Sequence, residues 1–565
     1  MFKKKIQIGL SDFKQLIQKN GYYIDKTSFI KELLAINPES VSENSVSLFC
    51  RPRRFGKTLN LSMLNYFFEK STESHAYLFE NLEIWQDERA RKEQGQYPVI
   101  FLSFKDVKDK LFHKAYAHLC ATISEEFQRH EQSLASILSP HEALYYQSII
   151  NQTADSIAYE KSLLFLSKLL HKKYNKKTIV LIDEYDTPLH AAYSNGYYED
   201  MIDFIRTVFS SVLKDNKSLE RSILTGILRT GKEGIFSDLN NLSVYTMLNN
   251  KYTDFFGFTK KETFELLDYY QLSSYHENLK KWYDGYQFGE NTDIYNPWSI
   301  LSFIDNQASF QPYWVNTSSN LLIKELLAKA DSSTKLELEL LLQDSSLEKT
   351  VEENFTFQNL TITPHALWSL LFFSGYLTYN KRTLKESGTY SCQLVIPNHE
   401  IKSLYKNLLE SIFIQSFKNP DNVQLFLKAL ISGDTVIATE LLQLFMLTSA
   451  SYYDFTQDEP EKSYHLFVLG LLITLEQTYS VKSNRESGYG RYDIMLIPKN
   501  KNQPALIIEF KKAGKKSLEE ACLEALEQIK EQKYISEIQN LKISTVIMYG
   551  IAFKGKEVCI KKDLD

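Results

Sequence analysis

Arg51–Thr58, RPRRFGKT, stands between an apolar run, Val46–Cys50, and an amphipathic run, Leu59–Glu69. Strand, tight turn ending in Gly-Lys-Thr, then helix is the arrangement in which main-chain N–H groups and a helix N-terminus face an anion. In such a turn Lys57 reaches the outer phosphates of a nucleotide and Thr58 holds its Mg²⁺. The strict GxxxxGK[ST] pattern requires glycine at position 51, where this chain has arginine, so Pro52 and Gly56 must shape the loop. Taken alone, the octet also reads as a basic surface turn.

Thr178–Glu184, TIVLIDE, is a short apolar run rich in β-branched residues that ends in two carboxylates. A buried parallel strand that delivers acids to its C-terminal edge has this form. Asp183 would hold the water shell of a Mg²⁺ ion, and Glu184 would orient or deprotonate an attacking water. An apolar strand ending in Asp-Glu means little by itself. Paired with an upstream Gly-Lys-Thr and room for intervening strand–helix units, it points to nucleotide binding.

The 565 residues are too many for one core; at about 100 to 200 residues per domain they imply three or four units. Hydrophobic content of 43% supports packed cores, and a net charge of −5 argues against wholesale wrapping of nucleic acid, so any nucleic-acid site must be local. Cys50, Cys120, Cys392, Cys522 and Cys559 form no CxxC pair, which suits buried free thiols in a reducing compartment better than disulfides or zinc. The opening MFKKKIQIGLSDF lacks the apolar segment of a secretory signal, and the longest apolar run, Leu466–Leu475, is too short to span a bilayer. These features lead to a cytoplasmic protein.

Along the chain, a helix is expected near Leu10–Lys19, with Asp25 or Thr27 then capping a second one; simple capping is the preferred role for both. Tyr97–Phe104 and Arg221–Ile227 read as further strands, separated by helical patterns at Lys114–Gln128 and Tyr159–Lys172. Strands alternating with helices imply a parallel sheet with helices on both faces. Thr225 or Arg229, at the end of the Arg221 run, could sense a terminal phosphate; packing is the preferred role for Thr225, and Arg229 could equally be a surface charge.

From Tyr252 the alternation stops. FFGFTKKETFELLDYY, KWYDGYQF and YNPWSILSFI read as a helical lid, followed by a helical module with a helix pair over Leu321–Leu342. A short strand is expected at Phe355–Thr361 and a hairpin at Tyr379–Val395, in a winged-helix or linker region. Trp282, Tyr283, Tyr286, Tyr295 and Trp298 could stack on bases, though helix packing is the preferred reading. Lys402–Lys418 and Val423–Leu447 read as helices without evident chemistry.

The last third carries a second constellation. Glu461–Glu476 reads as a helix, Thr478–Ser483, Arg491–Pro498 and Ala505–Lys512 as strands, Ser517–Lys533 as a helix and Ile543–Ile551 as a strand. Asp493 lies inside the apolar strand RYDIMLIP, where an unpaired acid is costly. In IIEFKK, Glu509 and Lys511 are two apart and share a strand face. If the two strands form a hairpin, Asp493 and Glu509 converge on one divalent cation with Lys511 beside it, a metal-hydrolysis arrangement. The competing reading is a surface hairpin with a cross-strand Asp/Lys pair. Glu461 or Glu476 could supply a third acid, and Gln528 and Tyr534 could line a phosphate track, although helix-surface and packing roles are preferred for them.

With both constellations in view, the chain resembles prokaryotic proteins that carry an AAA-ATPase-like domain followed by a PD-(D/E)XK nuclease-superfamily domain. The likeness is carried by YYIDKTSFI, RPRRFGKTL, TIVLIDEYDTPL, SILTGILR, FSDLNNLSVYTM, FGFTKKE, KWYDGY, YNPWSIL, LFFSGYLT, SNRESGYGRYDIMLIP and IIEFKK, which together extend over almost the full length. A loop similar to PRRFGKT occurs in the archaeal-type relatives of signal-transducing P-loop ATPases, so Arg51 departs from the strict glycine pattern rather than from that family. The resemblance implies an α/β fold: a P-loop NTPase parallel sheet with a helical lid and a middle helical module, then a C-terminal αβββαβ restriction-endonuclease-like domain. Its expected division is 1–250, 251–398 and 399–565. It implies ATP and Mg²⁺ at Gly56, Lys57, Thr58, Asp183 and Glu184, with Arg54 and Arg229 beside the nucleotide, and Asp493, Glu509 and Lys511 in the positions of the D…ExK triad. The expected function is an ATPase that controls Mg²⁺-dependent cleavage of DNA, with nucleotide-dependent homo-oligomers possible; RNA as substrate stays open. The alternative is a non-catalytic ATP-driven switch whose C-terminal domain only binds a partner.

Overall fold

A computed structural model describes residues 3–34, 45–229, 235, 236, 239–315, 323, 326, 327, 330, 332–342, 344–354, 364–416, 421–448, 461–473, 475, 478–487, 490–535, 538, 541, 543 and 545–564. The chain divides into two compact units, one of residues 1–322 and 346–401, the other of 323–345 and 402–565.

The first unit is built on five parallel strands: β1 (Val46–Cys50), β2 (Val99–Ser103), β3 (Thr178–Asp183), β4 (Leu219–Gly226) and β5 (Leu242–Tyr245), in the order β2-β3-β4-β1-β5. Every residue of β1 and β3 is buried, as expected of strands covered on both faces. Helix α1 (Lys57–Phe68) packs on β2, β3 and β4, and a mutually packed layer is formed by α2 (Phe112–Leu134), α3 (Ser156–Tyr174) and α4 (Tyr198–Leu213). Because β1 is followed in sequence by the far edge strand β2, the chain crosses over β4 and β3, and the C-terminal ends of β1, β3 and β4 open onto one crevice.

Two expectations for this unit are corrected. Asp25 and Thr27 do not cap the helix that follows them: the Asp25 carboxylate accepts from the Glu83 N–H at 2.7 Å and the Thr27 hydroxyl from the Ile84 N–H at 3.1 Å, tying two chain segments together. KWYDGYQF is not helical to its end. Tyr286–Phe288 is a strand that pairs antiparallel with Asn291–Tyr295, which also pairs with Phe258–Thr259. The alternating burial of Tyr286, Gln287 and Phe288 follows the strand period, and the aromatic cluster around Tyr283 and Tyr295 is packed core. The expected hairpin is present as Thr378–Leu384 and Tyr390–Val395, joined in a sheet by Leu347–Val351. The strand expected at Phe355–Thr361 lies outside the described residues.

In the second unit, Val423–Leu447 is two helices, Asp421–Ser432 and Thr435–Thr448, broken at Gly433, whose φ of 80° suits glycine. Helix α5 (Glu461–Ile473) precedes a five-stranded sheet of β6 (Tyr479–Ser487), β7 (Gly490–Pro498), β8 (Ala505–Lys512), β9 (Val546–Lys554) and β10 (Glu557–Leu564), with helix α6 (Leu518–Glu531) between β8 and β9. Only β8 and β9 run parallel. The closing strand β10 extends the expected αβββαβ order by one. Alternation sorts the core: Ile494, Leu496, Ile508 and Phe510 face a layer that includes Phe467 and Leu472 of α5, while Met495 and Ile507 face Leu526 and Ile529 of α6.

Candidate active sites at two sheet edges

At the crevice of the first sheet, Asp183 is fully buried at the end of β3. Its carboxylate accepts from the hydroxyl of Thr58, the second residue of α1, at 2.8 Å, from Thr225 of β4 at 2.7 Å and from Ser103 of β2 at 3.4 Å. Burial pushes its pKa up, and the hydroxyls of Thr225 and Thr58 only partly offset this. A buried carboxylate that has hydroxyl partners and, among the described residues, no salt bridge, at the mouth of a helix, suits a hard cation held with a phosphate. Thr225 therefore contacts Asp183 itself.

Gly56 has φ 84° and Arg54 φ 66°, so the turn into α1 is made by two left-handed residues, only one of them glycine. Lys57 is 6% exposed, and its ammonium donates to the carbonyls of Arg51 at 2.9 Å and Pro52 at 2.8 Å. Desolvation lowers its pKa, and Glu184, Asp186 and Asp183 oppose that. Glu184, with φ 50°, accepts from the Thr187 hydroxyl at 3.1 Å. The Arg54 guanidinium stands 4.2 Å from the Trp298 ring centre. Arg229 is half-buried just past β4, and residues 230–234 after it lie outside the described residues.

Asp186 did not stand out in the sequence. Its carboxylate accepts from the N–H groups of Ile227 at 2.8 Å and Leu228 at 3.0 Å and lies 3.4 Å from His190. Burial alone would raise its pKa, but His190 and these N–H groups outweigh burial and hold it below the usual range. It fastens the turn after β3 to the turn after β4. The Asp186-Thr187-Pro188 start of the next helix was the available signal, and it reads equally well as an ordinary cap.

In the second unit the last ladder pair is Ile494↔Ile508, so Asp493 and Glu509 fall opposite each other one residue further on. Strand parity puts Asp493 with Met495, and Glu509 with Ile507, on the face covered by α6. The Asp493 carboxylate accepts from the Phe510 N–H at 2.8 Å, and the Asp493 N–H donates to Glu509 at 3.3 Å. Lys511 donates to the Gln528 side chain at 2.6 Å, and the Gln528 amide in turn bonds to Glu509 and reaches Tyr534 at 3.4 Å. Gln528 thus bridges acid and lysine instead of serving as helix surface. From the opposite face, His465 of α5 meets the Asp493 carbonyl at 3.2 Å and the Ser483 hydroxyl at 3.0 Å, a support that α5's apolar sequence did not advertise.

Burial pushes the Asp493 carboxyl up, with the Phe510 N–H and Lys511 opposing. Two oxygen-donor acids in register, one of them 3% exposed, fit a divalent cation. Among the described residues no group of three His, Cys, Asp or Glu side chains is placed to hold a metal ion. Glu476 lies outside the described residues, as does the side chain of Glu461.

The family model of the predicted AAA-ATPases matches residues 7–236, and that of the PD-(D/E)XK nuclease superfamily matches residues 459–563. A protein of Azotobacter chroococcum mcd 1, described as an uncharacterized protein in the vnfD 5' region, is 24% identical over 560 residues, covering 94% of this chain and 93% of that one. The structure of C. elegans PCH-2 aligns at 12% identity and a TM-score of 0.20, over 61% of this chain and 66% of that one. Among the described residues no helix is long and apolar enough to cross a membrane. With the two sheets and their edges arranged as above, this chain carries an AAA-ATPase-like domain at its N-terminal end and a PD-(D/E)XK nuclease superfamily domain at its C-terminal end.

Proposed function

We propose that the chain binds and hydrolyses ATP with Mg²⁺ at its first sheet edge, and that nucleotide state controls Mg²⁺-dependent cleavage of DNA at the second. The observation that carries the reading is the meeting of Asp493, Glu509 and Lys511 on one strand pair, in a chain that also joins Thr58 to Asp183. The working division follows those roles: 1–250 for ATP, 251–398 as lid and middle module, 399–565 for the nuclease. At the first site Lys57 would contact the outer phosphates of a bound ATP, Thr58 and Asp183 would hold its Mg²⁺, Glu184 would orient water, and Arg54 and Arg229 would flank the nucleotide. At the second, Asp493 and Glu509 would hold a divalent ion, which when bound supplies Lewis acidity and an activated water. Lys511, kept in place by Gln528, offsets negative charge on the scissile phosphate.

The test is cleavage of linear, supercoiled and single-stranded DNA, and of RNA, with Mg²⁺ or Mn²⁺, with and without ATP. Asp493→Ala should remove cutting by at least about 100-fold, and Lys57→Ala should remove the response to ATP. ATP-dependent association, read by sedimentation, with no cutting under any condition would instead establish the non-catalytic assembly switch.

A further inference from the structure

The loop Arg51–Phe55 contains no glycine, and each of its residues is held from a distant part of the first unit. Arg51 is gripped by the carbonyls of Tyr245 and Tyr252, and Pro52 lies against Gly375, where a Cβ would come 2.9 Å from its ring. Phe55 packs on Tyr286 and Phe288, and its carbonyl accepts from the Gly257 N–H at 3.0 Å. The Arg53 carbonyl, at the crown of the loop, accepts from the Trp314 indole N–H at 3.1 Å and lies 3.5 Å from the Asn296 side-chain amide.

These last two donors are themselves fixed. Asn296 caps the helix Pro297–Asp305 through the N–H groups of Trp298 and Ser299. Trp314 is 2% exposed, and its main-chain N–H donates to Glu400 at 2.5 Å, while the other oxygen of Glu400 accepts from the Ser299 hydroxyl at 2.7 Å. Glu400 is 1% exposed, in the first turn of the helix His399–Ser416. A buried carboxylate held by the Ser299 hydroxyl and the N–H groups of Trp314 and Val315 has one geometry, so it fixes both the tryptophan and the cap helix in that geometry.

We propose that Trp314 and Glu400 are positioning residues for the nucleotide loop: Glu400 orients Trp314, and Trp314 holds the Arg53 carbonyl so that the loop N–H groups face the phosphates. This rests on the ATP reading above. A glycine-rich loop takes its shape from its own backbone; this one takes it from main-chain and side-chain groups at 245 and beyond, the Trp314 indole among them. The nucleotide site is therefore complete only when the segment that ends the first unit is docked on that same unit.

The experiment uses the full chain and a fluorescent ATP analogue, with Mg²⁺, titrated against wild type, Lys57→Ala, Trp314→Phe, Glu400→Ala and Glu400→Gln. Trp314→Phe keeps the ring but removes the N–H donor, and should weaken ATP binding by about three- to tenfold, the effect of losing one neutral hydrogen bond. Glu400→Ala should weaken it at least as much, and Glu400→Gln, which keeps an acceptor oxygen, should restore most of the affinity. The readout that separates positioning from general damage is the rise in melting temperature on adding ATP, taken for each variant from its own nucleotide-free value: losing the buried indole lowers that starting value, and positioning shows as a smaller rise in Trp314→Phe that Glu400→Gln does not share. Wild-type binding that depends on Lys57, with Trp314→Phe and Glu400→Ala both binding like wild type, would overturn the proposal and leave the ATP reading standing. Absence of binding by wild type would overturn both.

Discussion

Arg51 stands where the strict phosphate-loop pattern has glycine, and it is fully buried. Its guanidinium donates to the carbonyls of Cys50, Tyr245 and Tyr252 and lies about equally far, 5.1 and 5.2 Å, from the rings of Phe288 and Phe256. Desolvation brings its pKa down to about 10, so it remains charged at neutral pH. Arg51→Gly, which would restore the strict pattern, should therefore destabilise the protein by roughly 2–4 kcal/mol, because it opens a cavity and orphans buried carbonyls. Denaturant unfolding measures this, and a glycine variant as stable as wild type would show that the buried arginine contributes nothing.

Two buried acids of the same unit give a pH signature. Burial raises Asp284 and Glu400 from their usual values, 3.8 and 4.5, to about 7. Both prefer to be protonated in the folded chain and ionise more readily once it unfolds. The stability they contribute is thus fully present below about pH 4 and lost as pH rises through about 7. Over that window Asp284→Asn should show a smaller loss of stability than wild type in denaturation curves taken at pH 5 and pH 8. Parallel pH dependences would refute the assignment.

Among elements, the edge strand β2 shows how this fold manages an unpaired ladder. Glu126 of α2 accepts from the Phe101 N–H at 2.9 Å, and Arg129 donates to the Val99 carbonyl at 2.6 Å while also pairing with Glu126 and Glu69. His130 lies 3.1 Å from the same carbonyl. Side chains of one helix thereby occupy the groups another strand would use. Glu126→Ala should cost about 2–3 kcal/mol, at the low end for a buried ion pair because Arg129 is 35% exposed. It should also promote concentration-dependent aggregation, visible by light scattering; a monodisperse variant of unchanged stability would count against this role for Glu126.

For the whole molecule, each unit holds its own site, and this makes a division of labour testable. Asp493→Ala should keep wild-type affinity for ATP, and Lys57→Ala should keep whatever cleavage wild type shows without nucleotide. A loss of ATP binding in Asp493→Ala would mean that the two sites are not separable in this way.

The amino-acid sequence by itself determined the parallel sheet, the Gly56-Lys57-Thr58 turn, the Asp183 strand end and the Asp493/Glu509/Lys511 strand pair. These are legible because period-two and period-3.6 patterns and short motifs place side chains within one element or one hairpin. Tertiary structure alone decided the rest. Asp25 and Thr27 bind residues 83 and 84 instead of capping, Gln528 bridges Glu509 and Lys511, and His465 backs Asp493 through a carbonyl. The supports of the Arg51–Phe55 loop come from Tyr245 through Glu400, and β10 completes the second sheet. Most of these join residues far apart in the chain through main-chain groups, and Gln528 does so through its side-chain amide; no local period or residue spacing records which distant group a side chain will meet.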